Sequence, residues 1–448
     1  MGLPMKPYKT FIFESYEYLP KKGVIELRYS LDGEVNFLET LTLPGEFSPA
    51  QGVNEAELDR ALSMLHLIGG ISYYKTCLPE AIDVKTEELS QEHADFWTTV
   101  YTHGLGEFFF RNDIDFRNRI RFPGTPGSAL SPLVPQQKPS GRVLVPIGGG
   151  KDSMVTIELL KNAGLDVTLF RLGAHPIVNE LARLTGLPMI SVKRSLSPAL
   201  FRLNEEGALN GHVPITAYVS ALTVVLSLIY GFDTVAMSNE RSANIGNVDF
   251  HGMDINHQWS KGLAFERLFR DYLKKYVTAD VNYVSLLRPF SELRITQLFT
   301  EFPQYHGVAT SCNTNWKIAR KPSDIKWCGH CPKCAFVFAM MAAYLPLDRV
   351  TKIFGKNLFD DVALLPLYRS LWGIEGWKPF ECVGTPEETN AAFFLAHERG
   401  DADKTIVMKA FLHDVVPTIK DPKALIADAL KPSDEHELSD PLLRILPA

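Results

Sequence analysis

The sequence predicts an α/β protein: a doubly wound parallel sheet at its centre, an α+β unit before it and a helical, metal-binding region after it. Three observations carry that expectation. From Arg142 to about Phe302, short apolar strands alternate with helical segments, the pattern of a parallel sheet with right-handed crossovers. The first of those strands runs straight into three glycines and a helix start, Val143-Leu-Val-Pro-Ile-Gly-Gly-Gly-Lys-Asp-Ser153. Beyond Gly307 four cysteines crowd together and helical patterns continue to the C-terminus.

Taken in order, Thr10 to Glu14, Val24 to Ser30 and Val35 to Leu43 alternate apolar and polar residues, the period of half-buried strands. Leu31-Asp-Gly-Glu between the last two reads as a hairpin turn. Glu55 to Leu67 has helical spacing, and this first unit spans 1–122. Residues 123–141 are rich in Pro, Gly and Ser and read as a linker or a flap. In the central unit, 142–302, strands are expected at Val143 to Ile147, Val167 to Arg171, Pro188 to Val192 and Thr234 to Met237. The helices between them are expected near Asp152 to Asn162, Asn179 to Leu184 and Ile215 to Tyr230. The last unit is 303–448.

Bulk properties narrow the class. The chain has 448 residues, 46% hydrophobic and 22% charged, ordinary for a globular enzyme of two or three domains. A net charge of −6 gives no general electrostatic case for nucleic-acid binding. The stretch Val213 to Phe232 lacks Asp, Glu, Lys, Arg and His and is long enough to span a bilayer. It contains Pro214, Thr216, Ser220, Thr223 and Ser227 and runs into the strand at Thr234, so a buried helix is the better reading. The N-terminus carries no signal-peptide pattern, and four of the six cysteines fall within 23 positions. Both features point to a reducing, cytoplasmic setting.

In open parallel sheets ligands lie beyond the carboxyl ends of the strands, so the segments after each strand hold the candidates. The loop Gly148, Gly149, Gly150, Lys151, Asp152, Ser153 joins tight glycine turns to helix N-terminal amides and a cation, which suits a phosphate chain. It is neither a Walker loop, whose first glycine would fall at Val145, nor a dinucleotide fingerprint, whose third glycine is missing. After the fourth strand come Asn239, Glu240, Arg241 and Asn244, placed to face nucleotide and substrate. Asn256-His-Gln-Trp-Ser-Lys supplies His257 and Lys261, with Ser260 as a candidate helix cap. His212 lies at the open edge, and Leu287-Arg-Pro-Phe-Ser-Glu supplies Arg288 and Glu292. Cys312, Cys328, Cys331 and Cys334 follow C-x15-C-x2-C-x2-C, a spacing for structural Zn²⁺ or an iron–sulfur cluster. His330, Lys326 and Lys333 lie beside these thiols. Cys382 and Cys77 stand alone; each is a small buried hydrophobe or a proton carrier.

Gly149-Gly-Lys-Asp-Ser153 resembles the PP-loop of the ATP-pyrophosphatase family, with Gly148 where that family usually has Ser. The resemblance implies cleavage of ATP between the α- and β-phosphates, with AMP left on an oxygen of the substrate. With its downstream Cys cluster the chain is similar to the 7-cyano-7-deazaguanine synthases, which leaves nucleobase or tRNA modification as an alternative. More of it is covered by the set Gly-Gly-Lys-Asp-Ser, Ser238-Asn-Glu, Asn256-His-Gln, Leu287-Arg-Pro, Ser311-Cys-Asn, Trp327-Cys-Gly-His-Cys-Pro-Lys-Cys-Ala-Phe, Ile353-Phe-Gly-Lys-Asn-Leu and Lys378-Pro-Phe-Glu-Cys-Val-Gly. Through these motifs it resembles the UDP-N-acetylmuramoyl-L-alanyl-L-glutamate epimerases. That resemblance implies ATP- and Mg²⁺-dependent inversion of a terminal L-Glu on a UDP-linked muramyl dipeptide. The chemistry assigns the loop, with Asn239, to ATP. It makes Arg241, Lys261 and Arg288 candidates for the anionic substrate, and His257, Cys382, His212, Glu240 and Lys151 candidates for catalysis.

Overall fold

A computed structural model describes residues 6–50, 52–127, 133–136, 139–316 and 326–447. Strands β1 (Thr10–Leu19), β2 (Val24–Leu31), β3 (Val35–Thr42) and β4 (Ala81–Val84) come from the first unit. The central unit adds β5 (Arg142–Pro146), β6 (Asp166–Leu172), β7 (Met189–Ser195), β8 (Thr234–Met237), a small hairpin of β9 (Val248–Phe250) and β10 (Met253–Ile255), and β11 (Asn282–Ser285). Nine of them form one sheet in the order β11-β8-β5-β6-β7-β3-β2-β1-β4. From β11 to β7 all neighbours are parallel, whereas β7 to β1 pair antiparallel. The fold is thus a mixed α/β sheet with helices on both faces. Among the described residues of 303–448 there is no strand.

Local chemistry accounts for the ends of these elements. The β2–β3 turn holds Asp32 at φ 50° and Gly33 at φ 71°, and Glu34 N–H donates to the Leu31 carbonyl at 2.9 Å. Two positive φ values in succession match the right-handed twist of a tight hairpin. Helix Lys151–Asn162 starts at Gly150, and helix Ile215–Tyr230 stops at Gly231, φ 75°. Helix Leu263–Tyr272 is capped by Gly262, not by Ser260, which is buried one turn earlier.

The pleat sorts β5 between two cores. Leu144 faces one, with Ile215–Tyr230 and the N-terminal helices; Val143 and Val145 face the other, with Lys151–Asn162 and the C-terminal helices. The helix Ile215–Tyr230 is therefore internal, and among the described residues no helix is long and apolar enough to cross a membrane. Of the 123–141 segment, 128–132 and 137–138 lie outside the described residues. It is tied down at both ends and between them: Thr125 N–H donates to Leu89 O at 2.9 Å, Leu133 N–H to Lys274 O at 2.7 Å, and Gly141 N–H to Asp233 Oδ2 at 2.6 Å.

The strands of 1–122 are continuous with the parallel strands, because β3 pairs with β7 at Thr40–Ser195, Leu41–Arg194 and Thr42–Lys193. At this seam the Glu39 carboxylate, fully buried, accepts bonds from Arg194 at 2.9 and 3.0 Å, Tyr73 at 2.8 Å and Tyr218 at 2.6 Å. A buried carboxylate is tolerated only when so paired. Arg194→Met strands that charge and is expected to cost about 3–5 kcal/mol in urea unfolding; a loss below about 1 kcal/mol would mean the seam does not depend on the pair.

Candidate active site

The carboxyl ends of β5, β8 and β11 open on one side, and the glycine loop lies there. Gly149 takes φ +92°, a conformation that disfavours any side chain. Gly148 is different: a Cβ there would meet nothing within 4 Å, so neither backbone nor packing demands a glycine. The segment before the first clustered cysteine closes over the loop. Thr310 N–H donates to Gly149 O at 2.9 Å, and Ser311 Cβ would lie 3.4 Å from a Cβ on Gly150.

Lys151 is not the mobile cation that its place after three glycines suggests. Its side chain is 4% exposed and its Nζ is paired with the carboxylates of Asp152 and Glu292. Burial works against its charge, but those two carboxylates raise its pKa above the ordinary lysine value. The other oxygen of Glu292 faces Lys333 Nζ at 3.5 Å, and Lys333 in turn donates to the Cys382 carbonyl. Burial opposes the charge of Glu292, and the two ammonium groups hold it well below the usual carboxylate range. One buried chain of charges therefore runs from the loop to the backbone of Cys382.

At the far end of that chain Lys261 Nζ donates to Cys382 Sγ at 3.2 Å. His257 faces the same thiol, and its Nδ1 is hydrogen-bonded to Glu107 Oε2. Burial opposes the imidazolium, yet Cys382 and Glu107 push His257 up to about 9. Burial likewise opposes the thiolate, but Lys261 and His257 bring Cys382 down to about 5. Thiolate and imidazolium stand as an ion pair near neutral pH. His212 lies against His257, ring centroids 4.5 Å apart, with its Nδ1 3.6 Å from Glu107. Burial and the charge on His257 lower it to about 4, so it stays neutral. Glu240 is buried, and its Oε1 has no hydrogen bond among the described residues. Burial and the nearby Glu292 push it up to about 7, against the pull of Lys261. Cys382 can come this close because its turn ends at Gly384, where a Cβ would sit 2.1 Å from Glu388 Oε2 and 2.9 Å from Phe336.

Sequence reasoning expects His257, Cys382, Glu240, Lys261 and the loop near one another, and the fold brings them together. Asn239 is buried beside them, its amide on Ser285 Oγ at 3.1 Å. Two expected substrate cations are committed to the protein instead. Arg288 is fully buried: it pairs with Glu266 at 2.9 Å and donates to the carbonyls of Glu240 at 2.6 Å and Lys261 at 2.5 Å. It thus fixes the backbone of two site residues. Arg241 donates to the carbonyls of Asp428, Ala429 and Lys431 at the end of helix Pro422–Leu430. Glu107 was missed altogether, although a lone carboxylate inside Gly106-Glu-Phe-Phe-Phe-Arg111 is a signal, because a buried carboxylate needs a partner.

The sulfur atoms of Cys312, Cys328, Cys331 and Cys334 lie within 4.8 Å of one another, close enough for all four to bind one metal ion. None is in a disulfide, and Cys328 N–H points at Cys312 Sγ, 3.4 Å away. His330 is exposed with its Nδ1 on the Cys328 carbonyl, and Lys326 is exposed. Cys77 is far from this side, hydrogen-bonded to Thr76.

A thiol titrating near 5 makes a direct prediction. Alkylation of Cys382 by iodoacetamide, followed by peptide mass mapping, should be nearly flat from about pH 6 to 8, because only the thiolate reacts. Glu107→Gln removes the carboxylate that supports His257 and should move the midpoint up by about one unit. A wild-type rate that climbs only above about pH 8 would contradict the ion pair.

Two family models together match most of the chain. The model of the MurL N-terminal domain matches residues 4–286, and that of the MurL C-terminal domain matches 308–425. A protein of Xanthomonas oryzae pv. oryzae is 40% identical over 431 residues, covering 96% of this chain and 95% of its own. One of Salinispora tropica is 41% identical, covering 91% and 89%, and one of a Micromonospora species 38% identical, covering 98% and 97%. All three bear the name UDP-N-acetyl-alpha-D-muramoyl-L-alanyl-L-glutamate epimerase. With both domain models matched and these relatives aligned almost end to end, the chain belongs to the MurL family.

Proposed function

We propose that the protein inverts the terminal glutamate of UDP-N-acetylmuramoyl-L-alanyl-L-glutamate from L to D, for peptidoglycan synthesis, after activating the glutamate carboxyl with ATP. Its relatives' shared name supports the epimerisation. The observation that carries the rest is the buried chain Lys151–Glu292–Lys333–Cys382, which joins a phosphate-type loop to a paired acid and base.

The chemistry explains why both parts are needed. Removing the α-proton next to a free carboxylate builds negative charge on negative charge. Adenylating the carboxyl, with release of pyrophosphate, removes that charge and opens an enolate-like route. In this reading the central strands and glycine loop work as a PP-loop domain. The amides of Gly149 to Ser153 and the start of helix Lys151–Asn162 receive the phosphates. Asp152, partly exposed at the helix start, is an oxygen donor for a Mg²⁺ brought with them. Lys261, whose Nζ lies beside the thiol, would stabilise the developing oxyanion, and His257, Cys382 and Glu240 would carry protons off and back.

The four cysteines suit a structural Zn²⁺ with no open position, since sulfur ligands at a closed site leave no room for substrate. Such an ion would hold the 310–312 segment against the glycine loop. The unbonded cysteines fit work in the cytoplasm.

Lys151→Met should cut substrate-dependent pyrophosphate release by about a hundredfold or more, with the far-ultraviolet circular dichroism unchanged. Pyrophosphate release and D-Glu formation at the normal rate in that variant would remove the loop from the reaction.

A further inference from the structure

Cys382 has more around it than a proton carrier requires. A nucleophile is set up by a base within hydrogen-bond reach, that base being oriented by a third group. Here Lys261 Nζ stands 3.2 Å from the sulfur, and His257, oriented through Nδ1 by Glu107, faces the same thiol. The side chain is half-buried, so it retains an open approach. Its position is fixed from behind, because Lys333 holds its carbonyl. The same elements that hold it also reach the loop, through Glu292.

Building on the activated glutamyl carboxyl proposed above, we propose that Cys382 is a covalent nucleophile, which takes the glutamyl group from AMP as a thioester before the α-carbon is inverted. The thiolate electron pair forms the S–C bond to the acyl carbon. The C–O bond to the phosphate breaks, and AMP leaves with that oxygen and its electron pair. The thioester has lost the anionic sulfur that held the imidazolium, so His257 can release its proton to solvent and become a neutral base. His257 then takes the α-proton while Lys261 stabilises the enolate oxygen. Glu240, buried with its Oε1 free of hydrogen bonds among the described residues, returns a proton to the other face. Water finally cleaves the thioester to the free glutamyl carboxylate and the thiol; of the two protons given up by the new carboxyl and by the thiol as it returns to thiolate, one restores Glu240 and the other passes to solvent, while His257 already carries the α-proton.

This assigns each charged group around the thiol one task. Lys261 and His257 favour the thiolate before transfer, and Lys261 serves the oxyanion after it. A thioester also suits the inversion, since its carbonyl is delocalised less by sulfur than an ester's is by oxygen and its α-proton is correspondingly more acidic.

The test uses the whole enzyme with UDP-linked muramyl dipeptide radiolabelled in glutamate, and ATP. A single turnover is quenched in acid at successive times and the denatured protein is washed free of adenylate. The expected result is label on wild-type protein that appears with AMP and decays with D-Glu formation. Peptide mapping should place it on Cys382, and neutral hydroxylamine should release it as the glutamyl hydroxamate. Cys382→Ala should retain no label and form D-Glu at least about a thousandfold more slowly. Formation of D-Glu with AMP but with no protein-bound label at any time overturns the thioester and leaves the epimerase reading intact. Release of neither AMP nor pyrophosphate overturns both.

Discussion

The buried carboxylate of Glu292 is the contact on which the rest of the site depends. Its two oxygens face two ammonium groups, Lys151 from the glycine loop and Lys333 from the Cys-rich segment. All three side chains are at most 5% exposed. Charges so far from water are stable only as a set, and removing one member of a buried pair costs about 3–5 kcal/mol. The carboxylate therefore fastens three stretches distant in sequence: the first parallel strand and its loop, the helix Glu292–Thr300, and the helix Pro332–Ala342 that starts at the thiol cluster. Whatever orders the cysteines thereby also orders the glycine loop.

From that fixed frame the reactive groups gain their properties by position. Lys333 pins the turn of Cys382, and Arg288 pins the backbone of Glu240 and Lys261. The thiol then lies between two cations, which outweigh the cost of burying its charge. Burial, and after it the nearby Glu292, keeps Glu240 protonated far more readily than a surface glutamate, against the pull of Lys261. A thiolate and a carboxyl titrating near neutrality, both close to Lys261, are the kind of pair that acid–base chemistry at one carbon requires.

Much of the fold was legible because it is local. The hairpin at Asp32-Gly33, the helix Ile215–Tyr230 and the strand Thr234–Met237 follow from turn residues and hydrophobic runs that lie next to each other in the chain. The cysteine set was legible from its spacing. What could not be read depends on distant residues. The pairing of β3 with β7 joins positions about 155 apart. Glu107 and His257 are 150 apart, and Lys151 and Glu292 are 141 apart. A lysine after three glycines reads as mobile until the fold places a carboxylate against it. The arginine of Leu287-Arg-Pro reads as a substrate clamp until Glu266 and two carbonyls are found to occupy it. Spacing alone carries no information about either.

The central claim is that the carboxyl must be activated before the α-proton can leave. Exchange of the glutamate α-hydrogen in deuterium oxide, followed by proton NMR of the UDP-linked muramyl dipeptide, tests it most directly. The account predicts deuterium at that carbon, in both epimers, only when ATP and Mg²⁺ are present and pyrophosphate is formed. Exchange at the same rate without ATP, or inversion that retains the original hydrogen, would contradict it.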